Sequence, residues 1–416
     1  MTSSTRAKGA ATWALLSLAI GSFGIGMTEF TVMGLLPNIS QELLPAQWAA
    51  NPDDAIAQAG WLISLYALGV VVGAPTIAGS VARFPRHRVM VCLALALTVF
   101  NALTVIAPTF ELVAVSRFLA GLPHGAYFGI GALVAAEVLG PGKRAKGVAF
   151  VLTGLTVANV VGVPLGTLLG QQFGWRVAFA IVAGIFALAT AAIALFVPRT
   201  PGQPGRTLRA ELGVFRIGQV WFALATGAIG FGGFFAVYSY VAPIVTDVAG
   251  SPEWAVPIVL VIMGLGMTAG NLVGGHVADI DLRRTLLGGL AVLAIVLAAL
   301  ALTAQWIIAL GFFVFLVGFV SSALSPAIQS RLMDVSADNQ SIAAALNHSA
   351  LNIGNSMGAF LGGLVIAAGW GFVAPPWVGV VLALVGLAVA VAGYAVERRS
   401  GIPEPVLHAH EPVPFD

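Results

Sequence analysis

Along this chain, apolar runs long enough to cross a bilayer as a helix, about 20 residues each, alternate with short clusters of charge, proline and glycine. Read this way, the pattern predicts twelve spans, over 11–37, 59–81, 89–107, 111–139, 147–170, 175–197, 217–243, 254–276, 286–303, 306–328, 342–367 and 374–395. Residues 1 to 10 are polar, with Arg6 and Lys8. The apolar stretch after them exceeds a signal-peptide core of about 7–15 residues, so it reads as a retained first span.

Composition strengthens that picture. Hydrophobic residues make up 59% of the chain and charged residues 9%, against about 25% charged in a soluble domain, which excludes an ordinary soluble enzyme. Fifty glycines suit close helix contacts in a membrane. Cys92 is the single cysteine, so an internal disulfide framework and a multi-cysteine metal site are both excluded.

Charge placement gives an orientation. Of 19 basic residues, all but Arg117 and Arg176 fall in the termini and in the loops that twelve spans put on the same side as the termini. The opposite loops carry Glu42, Asp53, Asp54, Asp247 and Glu253. The positive-inside rule makes both termini cytoplasmic. Trp48, Trp61, Trp175, Trp254, Trp306, Trp370 and Trp377 then fall near the outer boundary, where indole rings favour the interface.

The chain also repeats. The segment 79–88 aligns with 275–284, matching Gly79 to Gly275 and Arg88 to Arg284, and the same offset of 196 carries Asn159, Gly162, Leu165 and Gly166 onto Asn355, Gly358, Leu361 and Gly362. The expected organisation is a six-helix half over 1–197, a cytoplasmic linker over 198–216, a second six-helix half over 217–395 and a tail over 396–416. Duplicated halves with a site between them near the midplane are a common construction of secondary transporters.

An ionisable residue deep in the membrane costs about 2.5–3.5 kcal/mol even on lenient insertion scales, which makes it a functional candidate. Glu29 lies about 12 Å below the outer end of the first span, and Arg117 about 9–13 Å below that of the fourth. His124 follows Arg117 on nearly the same face, about 10 Å deeper. A carboxyl sealed from water favours its neutral form and one beside a guanidinium its charged form. Glu29, with Arg117 and His124, is therefore the candidate proton-coupling set; a static ion pair that fixes helix packing, or a carboxyl kept permanently neutral, is the alternative. Tyr238 and Tyr240 in the seventh span, and Asn347, His348 and Asn352 in the eleventh, are candidate cavity residues, with helix packing as the competing reading; Asn355 adds to the eleventh-span polar density. Gly154, Ala158, Gly162, Gly166 and Gly170 form a small-residue stripe on the fifth span, beside Pro164, which is expected to bend it. Ala350, Gly354, Gly358 and Gly362 form its counterpart, and both stripes suit either helices sliding at the junction of two rocking halves or static close packing. Glu137, beside Lys143, Arg144 and Lys146, suits a surface or latch role.

These residues resemble the major facilitator superfamily over essentially the whole chain. The loops after the second and eighth spans look like its Gly-x-x-x-Asp-x-x-x-Arg-Arg signature, with Arg88, Asp279, Arg283 and Arg284 in motif positions and Arg83 standing where the family has Asp. The segment 116–139 resembles its proton-transfer motif, and 154–170 its Gly/Pro antiporter motif. The segments 26–40 and 345–363 resemble bacterial twelve-helix drug:proton antiporters, including chloramphenicol exporters and arabinose and purine efflux proteins. The resemblance implies an all-α polytopic fold of twelve transmembrane helices in two pseudo-symmetric halves around a central cavity. It also implies a bacterial inner-membrane antiporter that exports small amphiphilic, drug-like molecules, with protons and the lipid bilayer as its other partners. No cofactor, no nucleic acid and a monomeric chain are expected. An uptake symporter or an uncoupled facilitator on the same fold is the alternative. An enzyme is disfavoured: Gly354-Asn355-Ser356-Met357-Gly358 fits Gly-x-Ser-x-Gly but lies in a helix run, without the strand-turn-helix elbow that motif requires. No phosphate-binding loop is present for direct ATP drive.

Overall fold

The computed structural model describes residues 2–81, 84–140, 144–199, 212–336 and 340–399. Arg83, Lys143, most of the expected linker and the tail from residue 400 lie outside the described residues. Every regular element among the described residues is helical. Twelve helical stretches are long and apolar enough to cross a membrane: Ala10–Gly34, Pro52–Ile77, Arg86–Ile106, Phe110–Leu139, Ala149–Phe173, Trp175–Phe196, Gly218–Tyr238, Ala255–Ile280, Leu282–Thr303, Ile307–Val335, Leu346–Trp370 and Ala374–Arg399. Each overlaps one span expected from the sequence.

The differences lie at the ends. The first helix runs unbroken through Pro37, over Thr2–Leu43. The seventh stops at Tyr238, five residues short of the expected boundary, and a π turn at Ile244–Val248 follows Pro243. The tenth continues past residue 328 to Val335 and carries Arg331 into the protein, where the apolar run alone leaves it in a loop. Arg331 makes a two-pronged pair with Glu397 of the twelfth span, at 3.2 and 2.8 Å, and reaches Gln219 of the seventh. Starts are fixed by side chains that accept from exposed backbone N–H groups: Asn51 at Pro52–Ala59, Thr109 at the fourth span and Asp281 at the ninth. Five of the boundary tryptophans, Trp61, Trp254, Trp306, Trp370 and Trp377, are exposed, as interface anchors require. Trp175 is not: it is buried against Phe179, and the Arg176 guanidinium covers its ring at 4.3 Å.

Small residues set the helix crossings. Gly69 and Gly73 of the second span lie against the carbonyls of Phe118 and Leu122 in the fourth, so closely that a Cβ has no room. Gly266, Gly270 and Gly274 of the eighth lie in the same way against Phe315, Phe319 and Ala323 of the tenth. The fifth-span stripe packs on the first span: Gly154 on Ala19, Gly162 on Met27 and Phe23, Gly166 on Thr31, Gly170 on Leu35. Its counterpart in the eleventh packs on the seventh, with Gly354 against Ala228 and Gly358 against Gly232. The glycines of both stripes therefore press on helices of their own half, as the close-packing reading expects.

The junction is formed by other groups, and most of them gather toward the face opposite the termini. Ser64 Oγ donates to the Ser356 carbonyl at 3.1 Å, Gln171 Nε2 donates to the Glu253 carbonyl at 3.1 Å, and Gly264 touches the backbone of Asn159. Phe30 stacks on Tyr238 at 5.3 Å and on Phe235 at 6.5 Å. Toward the terminal face, Phe128 and His348 meet as parallel rings, 5.2 Å between centroids.

Two predictions follow from this packing. Gly274→Ala drives a Cβ into the Ala323 backbone, whereas nothing lies within 4 Å of a Cβ at Gly275. Gly274→Ala is expected to lower the melting temperature of the purified protein by about 5 °C, and Gly275→Ala to hold or raise it through helix propensity. Equal effects at both sites in a thermal-shift assay contradict the packing described. Likewise, Glu397→Gln leaves the Arg331 charge buried without its counter-charge, a loss of about 3 kcal/mol. The double change Arg331→Met with Glu397→Leu is expected to recover most of that loss, which denaturation of the three variants measures.

Candidate functional site

Glu29 sits in the second half of the first helix, five residues before the end of the span Ala10–Gly34, and is 6% exposed. Asn355 of the eleventh span donates through Nδ2 to its Oε1 at 2.9 Å. One hydrogen bond thus ties the carboxyl of the first half to an amide of the second. Phe30, the next residue, turns to Tyr238 and Phe235, which places aromatic rings beside the carboxyl on its junction face.

Arg117 is fully buried. Its Nη1 donates to Thr28 Oγ1 at 2.9 Å, and Thr28 donates onward to Asn101 Oδ1 at 2.5 Å. The guanidinium carbon stands 4.2 Å from the Tyr66 ring centroid and 5.4 Å from that of Phe179, within the range of cation–π attraction. Nε and Nη2 have no hydrogen-bond partner among the described residues. Glu29 and Arg117 do not form the ion pair weighed as an alternative: no pair within 4.0 Å joins them among the described residues. The reason is helical geometry. Thr28 precedes Glu29 by one residue and so points about 100° away; Arg117 meets the hydroxyl, and the carboxyl turns to Asn355.

His124 joins this centre through Tyr66, whose hydroxyl lies 3.0 Å from its Nδ1. One face of Tyr66 therefore carries Arg117 while its hydroxyl meets His124. Phe128 continues the line, edge-on to His124 at 5.5 Å and stacked on His348. The order Arg117, Tyr66, His124, Phe128, His348 runs from the fourth span to the second, back to the fourth and on to the eleventh.

The remaining candidates separate by position. Asn347 and Asn352 are buried; Asn352 donates to the His348 carbonyl of its own helix, and the Oδ1 atoms of both residues have no partner among the described residues. Tyr238 adjoins Phe30, but the Tyr240 hydroxyl donates to the Ala359 carbonyl at 2.7 Å and touches Gly60 and Gly363, so it seals the junction toward the face opposite the termini. Pro164 follows a π turn at Ala158–Gly162, where the Val163 amide reaches back five residues to Ala158; the ring has no N–H for the regular ladder. At the terminal face, Arg86 pairs with Glu137, linking the third span to the fourth, while Arg88 is exposed. Asp279 is exposed, Arg284 pairs with Asp281 at 3.2 Å, and Arg283 lies over the Tyr394 ring. Among the described residues no group of three metal-ligating side chains comes together.

Sequence reasoning named Glu29, Arg117 and His124 but not the groups that connect them. Thr28, Tyr66 and Asn101 carry no charge, so no insertion cost singles them out. A signal did exist: Asn101 is a lone amide in an apolar span, and Tyr66 is one of five tyrosines in the chain. Asn355 stands out in the sequence as a repeat counterpart of Asn159 and as part of the polar density of its helix, neither of which points to Glu29.

Comparison with known proteins agrees with this architecture. The chain matches the Major Facilitator Superfamily model over residues 18–280 and 255–415. It is 37% identical over 369 residues to the inner membrane transport protein YdhP of Escherichia coli K12, covering 89% of this chain and 92% of that one. It is 30% identical over 372 residues to a chloramphenicol resistance protein of Streptomyces lividans, covering 88% and 93%. Among solved structures, a bacterial homologue of the human lysosomal transporter Spinster superposes with a TM-score of 0.74 at 15% identity, covering 94% of this chain and 98% of that one. With twelve spans in the family arrangement and a family match along almost its whole length, this chain belongs to the major facilitator superfamily.

Proposed function

We propose that the protein is a proton-coupled antiporter of the bacterial inner membrane that exports small amphiphilic, drug-like molecules by alternating access, driven by the proton gradient alone, with both termini cytoplasmic. The observation that carries this reading is the hydrogen bond from Asn355 to Glu29. It makes the junction between the halves depend on a group that can gain or lose a proton. Arg117, fully buried with one hydroxyl partner, needs a nearby negative charge, and Glu29 is one residue from that hydroxyl. Protonating Glu29 removes the counter-charge and weakens the acceptor that Asn355 uses. Substrate and proton then alternate: the halves part on one side to exchange the proton and on the other to exchange substrate.

Orientation and direction rest on charge and likeness. With basic loops facing the cytoplasm, the junction groups from Ser64 to Tyr240 lie on the outer side, so the conformation is closed outward. The likeness to a chloramphenicol resistance protein supports a drug-like substrate, and the likeness to an inner membrane transport protein supports the location. One proton moving down about 100 mV and one pH unit supplies about 3.7 kcal/mol, enough for a gradient of about 500-fold. The carboxyl, the amide and the guanidinium come from one chain, so the proposed working unit is the monomer.

Purified protein in liposomes with an internal pH dye tests the reading, with chloramphenicol, tetraphenylphosphonium, arabinose and a purine nucleoside as trial substrates. Proton movement opposite to one of them, abolished by Glu29→Gln, is expected; unimpaired pH-driven transport by Glu29→Gln removes that residue from the coupling role. Asn355→Leu keeps the carboxyl but cuts its tie to the second half. It is expected to slow coupled transport about tenfold, the loss of a charge-assisted hydrogen bond of about 1.5 kcal/mol. Wild-type rates in that variant contradict the proposed link between proton and junction.

A further inference from the structure

At the face opposite the termini, a cavity of about 320 Å³ opens on the junction between the halves. It belongs to neither Glu29 nor Arg117: its lining comes from the loop and second span on one side and from the eleventh span on the other. Ala57, Gly60, Ala359 and Gly363 form a small-residue surface in it. Tyr240, whose hydroxyl touches Gly60 and Gly363, backs this surface, and Tyr238, two residues before it, stacks on Phe30.

The wall chemistry is specific. Trp61 and Phe360 meet edge to face across the junction, centroids 5.1 Å apart, and both remain exposed. Both rings line the cavity, so part of each ring surface faces it. Asp54, a lining residue, is held by Asn51 Nδ2 at 2.9 Å, and Gln47 and Gln58 add amides. The surrounding face is acidic. Burial pushes the Asp247 carboxyl above the usual carboxylate range, against a hydrogen bond from Thr246 that lowers it, and the Asp53 charge adds to the rise. The basic residue of this face, Arg176, is already paired with Glu42 at 2.6 Å. Pockets of about 300–1,000 Å³ accept drug-sized ligands, and aromatic faces beside a carboxylate attract organic cations.

We propose that this cavity is an accessory binding site for an amphiphilic aromatic monocation, which lays its apolar body on Trp61 and Phe360 and turns its charge toward Asp54. Because opposite walls belong to opposite halves, the site is complete only while this face is closed. A cation bound there stabilises the closed arrangement by the difference between its affinities for the two states. This site does not rest on the transport reading and is tested by binding alone.

The test is equilibrium dialysis of tetraphenylphosphonium against the full chain in zwitterionic-lipid nanodiscs, with empty nanodiscs as the blank. Saturable binding is expected. Asp54→Asn is expected to raise the Kd about fivefold and Trp61→Ala about tenfold, while Trp61→Phe leaves it within about twofold of wild type. Neutral triphenylphosphine oxide is expected to bind at least about fivefold more weakly than the cation. Asp54→Asn keeps the test open where Trp61→Ala fails to fold. The proposal is overturned by no saturable binding up to about 1 mM, by an unchanged Kd in Asp54→Asn, or by equal binding of the neutral probe. Loss of binding in Glu29→Gln with the cavity variants unaffected also overturns it, because the cation then occupies the central carboxyl.

Discussion

A guanidinium sealed in the middle of a membrane protein constrains everything around it. Removing Arg117 from water costs several kcal/mol unless hydrogen bonds and counter-charge replace the lost hydration. The fold answers with groups from separate helices: the Thr28 hydroxyl from the first span, the Tyr66 face from the second and the Phe179 face from the sixth. Asn101 of the third span in turn holds Thr28. Five of the first six helices are thereby oriented about one charge. The rotation that gives Thr28 to Arg117 also turns Glu29 outward, to the junction and to Asn355.

That rotation holds because the first span cannot easily turn. Gly154, Gly162, Gly166 and Gly170 of the fifth span press it along its length, and at Gly154 the contact is with the Ala19 backbone itself. Backbones this close leave little room for a different register. The π turn at Ala158–Gly162 interrupts the same face and brings the Asn159 backbone against Gly264 of the other half. Rigid packing within each half and a few polar and aromatic contacts between them is the division of labour that rocking requires.

How much of this was legible in the sequence depended on cost. Twelve spans were readable because each buried polar backbone in lipid must be satisfied inside a helix, so long apolar runs have one reading. Glu29, Arg117 and His124 stood out because charge or near-charge is expensive at that depth. Neutral polar partners are cheap, so Thr28, Tyr66 and Asn101 could not be separated from ordinary helix polarity, and which way a helix faces is decided by packing that one sequence does not display. Arg331 was misplaced for a related reason: hydropathy ends where charge begins, whereas the tenth helix continues to Val335 because Glu397 and the Tyr394 ring receive the guanidinium. The small-residue stripes were visible, but their partners were not, and a stripe reads the same whether it faces its own half or the other.

The internal repeat sharpens the point. Gly69 on Phe118, Gly73 on Leu122 and Gly121 on Tyr66 recur as Gly266 on Phe315, Gly270 on Phe319 and Gly318 on Met263, each contact displaced by 197 residues. The crossing of the second and fourth spans is thus copied backbone to backbone in the eighth and tenth. The side chains on that scaffold are not copied. The same displacement carries Tyr66 to Met263, Arg117 to Val314, Glu29 to Thr226 and His124 to Ser321, so the second half repeats the geometry with uncharged residues where the first has its charged centre. In exchange it offers Asn355 and the aromatic rings of the seventh span. The Glu29 carboxyl thus faces a polar but uncharged partner, Asn355, across the junction.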